Sequence, residues 1–300
     1  MKNLISIGDL TKQELYDIIE LAVSVKRERS QGIFSNGLKH KTIGMIFEKP
    51  STRTRTAFEV AMVELGGYPI YLNWNDLQLG RGETTADTAR VLSRYLSCIV
   101  VRANSHSTII DLAKNASVPV INALSNVEHP CQLLADLMTI YEKRGRLSGL
   151  KLAWIGDGNN VCNSAILSCA LMDMNIDVAC PPGYEPNDAI LRRAQELSSV
   201  RVLRDPLEAA TAADVLYTDA WVSMGDEATA AVRARAFAKY RIDNAVLDAA
   251  NSDAIVLHCL PAHRGQEITD EVMDGPHSVV FDQAENRLHA HKALLLKLLC

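Results

Sequence analysis

Short apolar runs alternate with helical spacings along the whole chain, and this alternation restricts the fold more than any other feature. Runs at 42–47, 69–73, 98–103 and 118–122 have the β-branched content and abrupt ends of buried strands. Helical patterns over 54–66, 84–96 and 106–116 separate them, after an amphipathic helix over 11–29 that opens with a Thr11/Glu14 capping box. Such alternation implies a parallel sheet flanked by helices. A long helix from Cys131 to Lys143 then gives way to the polar stretch Arg144-Gly145-Arg146-Leu147-Ser148-Gly149. A second series follows, with strands expected near 151–156, 176–180, 200–204, 214–218, 254–259 and 278–282, and a last helix over 284–299. Its 300 residues exceed what one compact core usually holds. The reading is an α/β protein of two domains, 1–145 and 146–285, each a parallel sheet flanked by helices. A C-terminal helix, 286–300, is expected to pack back on the first domain.

Composition narrows the partners. A net charge of −5 and a pI near 5.9 argue against nucleic acid or an anionic membrane as the main partner. No apolar run approaches the ~20 residues that span a bilayer, and the opening Met1-Lys2-Asn3-Leu4-Ile5-Ser6 lacks the features of a signal peptide. The seven cysteines are scattered without a Cys-x-x-Cys pair, as expected of free thiols in a reducing cytoplasm.

Inside this acidic chain one basic cluster stands out. Ser51-Thr52-Arg53-Thr54-Arg55 lies where the strand 42–47 turns into a helix marked by Phe58, Met62 and Leu65. A helix N-terminus offers unpaired amides and a positive dipole end, and arginine grips phosphate with paired bonds. A Ser/Thr-capped helix with solvated arginines is the plainer alternative. Further polar groups sit at predicted strand ends, where open α/β sheets place ligands. They are Arg102, His129-Pro130-Cys131-Gln132, the loop Asp219-Ala220-Trp221-Val222-Ser223-Met224-Gly225, and His258-Cys259-Leu260-Pro261. Glu285-Asn286-Arg287 is read as opening the last helix, where a cation opposes the dipole unless an anion joins it. Each group has an ordinary structural explanation alone. Together they supply arginines, a histidine and a helix N-terminus for a phosphate and an adjoining carbonyl, with Asp219, Ser223 and Cys259 suited to an amino-bearing second substrate. No acidic pair or triad offers the Mg²⁺ site of nucleotide phosphoryl transfer.

Trp154-Ile155-Gly156-Asp157-Gly158-Asn159-Asn160 invites a dinucleotide reading. Val161 holds the third glycine position, however, and Cys180 stands where a strand-ending acid belongs. Gly156 and Gly158 are therefore read as turn glycines.

With these motifs the chain resembles the aspartate/ornithine carbamoyltransferase family from about Lys41 to His289, most closely its ornithine-using members. The resemblance implies a carbamoyl phosphate-binding domain over 1–145 and an ornithine-binding domain over 146–285. It implies that Ser51, Thr52, Arg53 and Thr54 bind phosphate, that Arg102, His129 and Gln132 hold the carbamoyl group, and that Arg287 completes the site. Gln78 matches a residue that the family contributes from a neighbouring subunit, which implies a homotrimer or a multiple of it. Asn160, Asp219, Ser223 and Met224 match ornithine-binding positions, with Asn159 and Asn163 as near alternatives to Asn160. Cys259 and the Leu260 backbone are implied to meet both substrates, with Cys259, Arg102 and His129 as catalytic residues. Arg55 is expected to be structural.

The implied reaction passes through a tetrahedral intermediate whose oxyanion Thr54, Arg102 and His129 would stabilise. No metal or organic cofactor is required. The ornithine amine must lose a proton; Cys259 beside Asp219 is a candidate acceptor, although a neighbouring carboxylate raises a thiol pKa. Aspartate as acceptor is disfavoured by the Ser-Met-Gly loop and Cys259, and putrescine by the same loop. A non-catalytic sensor is disfavoured by the intact polar set.

Overall fold

The computed structural model describes residues 1–222 and 229–300, which form two compact units: 1–138 with 285–300, and 139–284. The first unit begins with α1 (Lys12–Ser30), held by the Thr11/Glu14 capping box. Its sheet strands are β1 (Thr42–Phe47), β2 (Tyr68–Asn73), β3 (Cys98–Arg102) and β4 (Val120–Leu124), with helices α2 (Thr52–Glu64), α3 (Thr85–Leu92) and α4 (His106–Asn115) between them. Helix α5 (Pro130–Arg144) follows β4 and carries the chain from one unit into the other.

In the second unit β5 (Lys151–Ile155), α6 (Asn160–Leu171), β6 (Asn175–Ala179), α7 (Asp188–Gln195) and β7 (Val200–Leu203) alternate strictly. Then come α8 (Pro206–Ala210), β8 (Val215–Thr218), α9 (Ala230–Phe237), α10 (Asn244–Ala249), β9 (Ile255–His258) and α11 (Asp270–Met273). The last helix, α12 (Val280–Leu299), starts in the second unit and joins the first from Glu285 onward.

Both sheets are parallel, ordered β2-β1-β3-β4 and β7-β6-β5-β8-β9. Every crossover needs a connection long enough for a helix, which is why near-continuous apolar strands alternate with amphipathic segments. β1 and β3 are buried along almost their whole length, and Ile46, Ile99 and Val101 pack against Ile109 and Leu112 of α4. In the second unit Ile155, Leu216 and Val256 pack with Trp221, Phe237 and Met273. Burying each such side chain contributes roughly 1.5–3 kcal/mol. The strand order reverses between β1 and β3 and again between β5 and β8. Those two reversals are where a parallel sheet opens a crevice beyond its carboxyl ends.

One expected strand is absent. Residues 278–282 pair only at Ser278, in an isolated bridge to Val256, and the Gln283 amide already bonds the Val279 carbonyl in helical fashion. The β-branched pair Val279-Val280 is buried at the helix start, so tertiary burial overrides local propensity. Arg287 consequently lies two turns inside α12, not at its mouth. Helix α12 packs on the first unit: Lys297 bonds Asp17 at 3.1 Å, and Lys292 pairs with Glu64.

Candidate active site

At the reversal point of the first sheet, Phe47 and Arg102 are register partners that end β1 and β3. The Glu48 amide donates to the Arg102 carbonyl at 2.9 Å, and the Glu48 carboxylate accepts from the Asn104 amide at 2.6 Å. These bonds fix the two strand ends together. Ser51 caps α2, its hydroxyl accepting from the Thr54 amide at 3.4 Å. Thr52 is exposed and Arg53 half-buried on the first turn, while Thr54 is fully buried. Arg55 is committed elsewhere, pairing with Glu59 at 2.9 Å and lying 3.9 Å over the Tyr71 ring. Arg53 has no carboxylate at ion-pair distance among the described residues.

Arg102, His129, Gln132 and Arg287 are all buried, at 6%, 5%, 1% and 4% exposure. Two buried guanidinium groups beside one histidine concentrate positive charge in a desolvated region, where charge is costly to hold without partners. Arg287 donates from Nη2 to Thr54 Oγ1 at 2.6 Å. Burial, then the charges of Arg287 and Arg102 and the His291 ring, hold the His129 imidazole well below the usual histidine range. His129 is therefore a neutral ring that can donate one N–H to a carbonyl oxygen. Gln132 Nε2 donates to Asp136 Oδ1 at 2.8 Å, which turns its buried carbonyl oxygen away from that carboxylate. Gln78 is exposed in a short 3-10 turn, Gln78–Arg81.

In the second unit, Asn159 and not Asn160 caps α6: its Oδ1 accepts from the Val161 and Cys162 amides at 2.9 and 3.1 Å. Asn159 Nδ2 also donates to Asp219 Oδ2 at 2.7 Å, and Asn163 Oδ1 accepts from the Asn187 amide. Asn160 sits half-buried in the first turn of α6. Asp219 follows β8, and its Oδ1 accepts from the Ala220 amide at 2.8 Å and from Cys259 Sγ at 2.9 Å. Cys259 is half-buried, unlike Cys98, Cys131, Cys162 and Cys169, whose thiols burial pushes upward, Cys131 and Cys169 to about 12. Those four are inert packing groups.

Leu260 holds a left-handed backbone, φ 59°, rare for a side chain of this type. Its amide donates to His258 Nδ1 at 2.9 Å, which places the ring proton on Nε2, 3.2 Å from Glu267 Oε1. Glu267 is fully buried and gave no signal in the sequence, where it reads as one acid in a polar loop. The Asn159–Asp219 bond was equally hidden, since the residues lie 60 positions apart. Ser223 and Met224 lie outside the described residues.

The same region addresses metal and nucleotide chemistry. Asp219, His258 and Cys259 bring ligand atoms within 4.8 Å of one another. All three are engaged in the hydrogen bonds just described. A side-chain carbon added at Gly158 would meet the Pro186 nitrogen at 2.3 Å, so the turn is filled by protein backbone, not open to a pyrophosphate.

Residues 2–142 match the aspartate/ornithine carbamoyltransferase carbamoyl-P binding domain, and residues 148–298 its Asp/Orn binding domain. The chain is 56% identical to an ornithine carbamoyltransferase of Archaeoglobus fulgidus over 300 residues, spanning 100% of this chain and 98% of that protein. A Methanosarcina mazei ornithine carbamoyltransferase is 55% identical, with 99% of each chain covered. The solved ornithine carbamoyltransferase of Pyrococcus furiosus superposes with a TM-score of 0.96 at 48% identity, covering 99% of this chain and 97% of that one. The Thermus thermophilus structure gives 0.92 at 44% identity, covering 100% and 99%.

Proposed function

The chain belongs to the aspartate/ornithine carbamoyltransferase family, and on that premise we infer that it transfers the carbamoyl group of carbamoyl phosphate to the δ-amine of L-ornithine, releasing L-citrulline and phosphate. One observation carries the reading: buried Arg102 and Arg287 flank a neutral His129, next to a Ser51-capped helix N-terminus.

In this reading the α2 amides, Ser51, Thr52, Arg53 and Thr54 neutralise the phosphate, and Arg287 holds it from α12. His129 donates to the carbamoyl oxygen, and Arg102 adds a fixed positive charge where oxyanion character grows. A neutral histidine suits that role, because it gives a hydrogen bond without releasing a proton. The Gln132 carbonyl accepts from the carbamoyl amide. In the ornithine-binding domain, Asn160, Asp219, Ser223 and Met224 hold the amino acid, and the Cys259–Asp219 pair takes the proton from the δ-amine. The Leu260 backbone meets both substrates.

The domains assigned are 1–145 with 286–300 for carbamoyl phosphate and 146–285 for ornithine. The active unit is a homotrimer or a multiple of trimers in the cytoplasm, with Gln78 reaching a neighbouring site. The exposed position of Gln78 supports the shared site, and the free cysteines support a reducing compartment. Among the described residues no helix is long and apolar enough to cross a membrane. Carbamoyl phosphate offered separately with ornithine, putrescine and aspartate tests the function. Citrulline formation with ornithine is expected; faster carbamoylation of putrescine would overturn the choice of acceptor.

A further inference from the structure

The five residues Ser125–His129 connect β4 to α5, and they decide where the His129 ring points. The turn is closed by the Ser125 amide on the Glu128 carbonyl at 2.9 Å. Ser125 Oγ accepts from the Glu128 amide at 3.1 Å and from the Val127 amide at 3.3 Å. Glu128 is buried, and its carboxylate accepts from the Ile7 amide at 3.1 Å. The outer brace comes from α4. Ser105 at its N-cap makes no side-chain capping bond; instead Asn126 Oδ1, from the turn, accepts the His106 amide at 2.9 Å. His106 Nδ1 lies 2.8 Å from Ser125 Oγ.

A hydroxyl has two acceptor lone pairs and one proton. With the two amides of the turn on the lone pairs of Ser125, the 2.8 Å contact to His106 Nδ1 is read as the one that takes its proton. The alternative, the Glu128 carbonyl, is farther at 3.3 Å. We propose that His106 is a positioning residue for His129: as a neutral imidazole protonated on Nε2, it ties the 125–128 turn to α4 and so fixes the ring that meets the carbamoyl group. A protonated His106 would bring an N–H to an oxygen whose lone pairs are already taken, and the tie would break. Burial favours the neutral form, opposed by Asp9 from the N-terminal turn, the charged group that acts on the ring.

The inference rests on the assignment of His129 to the carbamoyl site, and wild-type citrulline formation is the control for that assignment. The test measures kcat and KM for both substrates from pH 5.5 to 8.5 in His106→Leu, which removes the acceptor, and His106→Asn, which keeps one near Nδ1 but cannot titrate. His106→Leu should lower kcat/KM for carbamoyl phosphate about tenfold at pH 8, the scale of one lost buried hydrogen bond, with KM for ornithine unchanged. His106→Asn should stay within about threefold of wild type at pH 8, and the acid limb of its profile should move to lower pH. A leucine variant that overlays the wild-type profile overturns the proposal, as does an asparagine variant no better than leucine. Should His106→Leu not fold, Ser125→Ala and its combination with His106→Asn replace it: the losses should not add, and full additivity would refute the tie.

Discussion

Arg287 donates to the Thr54 hydroxyl across 2.6 Å, and one turn further along both helices His291 stacks on Phe58 with ring centroids 3.9 Å apart. Helix α12 is thus docked on α2 by two successive rungs, one polar and one aromatic. The polar rung holds a buried guanidinium against the first turn of α2. Thr54→Val keeps the volume and removes the acceptor. It should raise KM for carbamoyl phosphate about tenfold and cost roughly 1–3 kcal/mol of stability through the loss of a buried hydrogen bond to a charged group. Steady-state kinetics and urea unfolding measure the two effects.

Arg53 and Arg55 are two residues apart and differ in commitment. Arg53→Ala should weaken carbamoyl phosphate binding by about 1.5–3 kcal/mol, the range of a charge-assisted bond. Arg55→Ala loses an exposed ion pair and a ring contact, and should change stability by about 1 kcal/mol or less with kinetics intact. Equal kinetic damage from both would remove the distinction.

Cys259→Ser tests the proton acceptor. Turnover should fall more than carbamoyl phosphate affinity, and the pH–rate profile should change, because a serine hydroxyl does not titrate in the working range. A serine variant with wild-type turnover and profile would leave the thiol as a wall of the site and pass the proton to Asp219 or phosphate.

Two buried histidines link stability to pH. Burial, reinforced by Arg287, holds His129 and His291 well below the usual histidine range. Below about pH 6.5 the unfolded chain takes up protons on both while the folded chain does not, so stability falls as pH falls, by up to ~1.4 kcal/mol per unit for each ring. Among the described residues His291 has no hydrogen-bond partner on either nitrogen. His291→Leu should therefore flatten the slope of unfolding free energy between pH 7.5 and 5.5. A slope equal to wild type would contradict this account.

If Gln78 completes a neighbour's site, mixing the impaired variants Gln78→Ala and Arg53→Ala at low carbamoyl phosphate should restore part of the activity through interfaces carrying both native residues. Fully mixed hybrids without activity would exclude the shared site.

Much of this arrangement was legible in residue order because parallel sheets put their chemistry at strand ends. Ser51 after Phe47, Arg102 after Val101, Asp219 after Thr218 and Cys259 after His258 are all local junctions between apolar run and polar loop. What escaped was long-range or dependent on helix limits. Val279-Val280 reads as a strand in sequence, which sets the expected start of α12 late, and the dipole argument for Arg287 falls away with the longer helix. Asn159 and Asn160 are alike in residue type, and only the capping geometry of α6 tells them apart. The roles of His106, Asn126 and Glu267 arise from side chains bonding across loops, which no periodicity records.

The tight contact at Gly158 has an engineering consequence. The strand–turn–helix that begins the second sheet differs from a nucleotide-binding one by more than its missing third glycine. Segment 185–186 crosses the turn at a distance that excludes even a methyl group, and the Gly158 amide is already given to the Tyr184 carbonyl. Val161→Gly alone would only loosen the first turn of α6. Recruiting this half of the fold to a dinucleotide would require rerouting the β6–α7 connection first, because the path of the backbone itself occupies the turn.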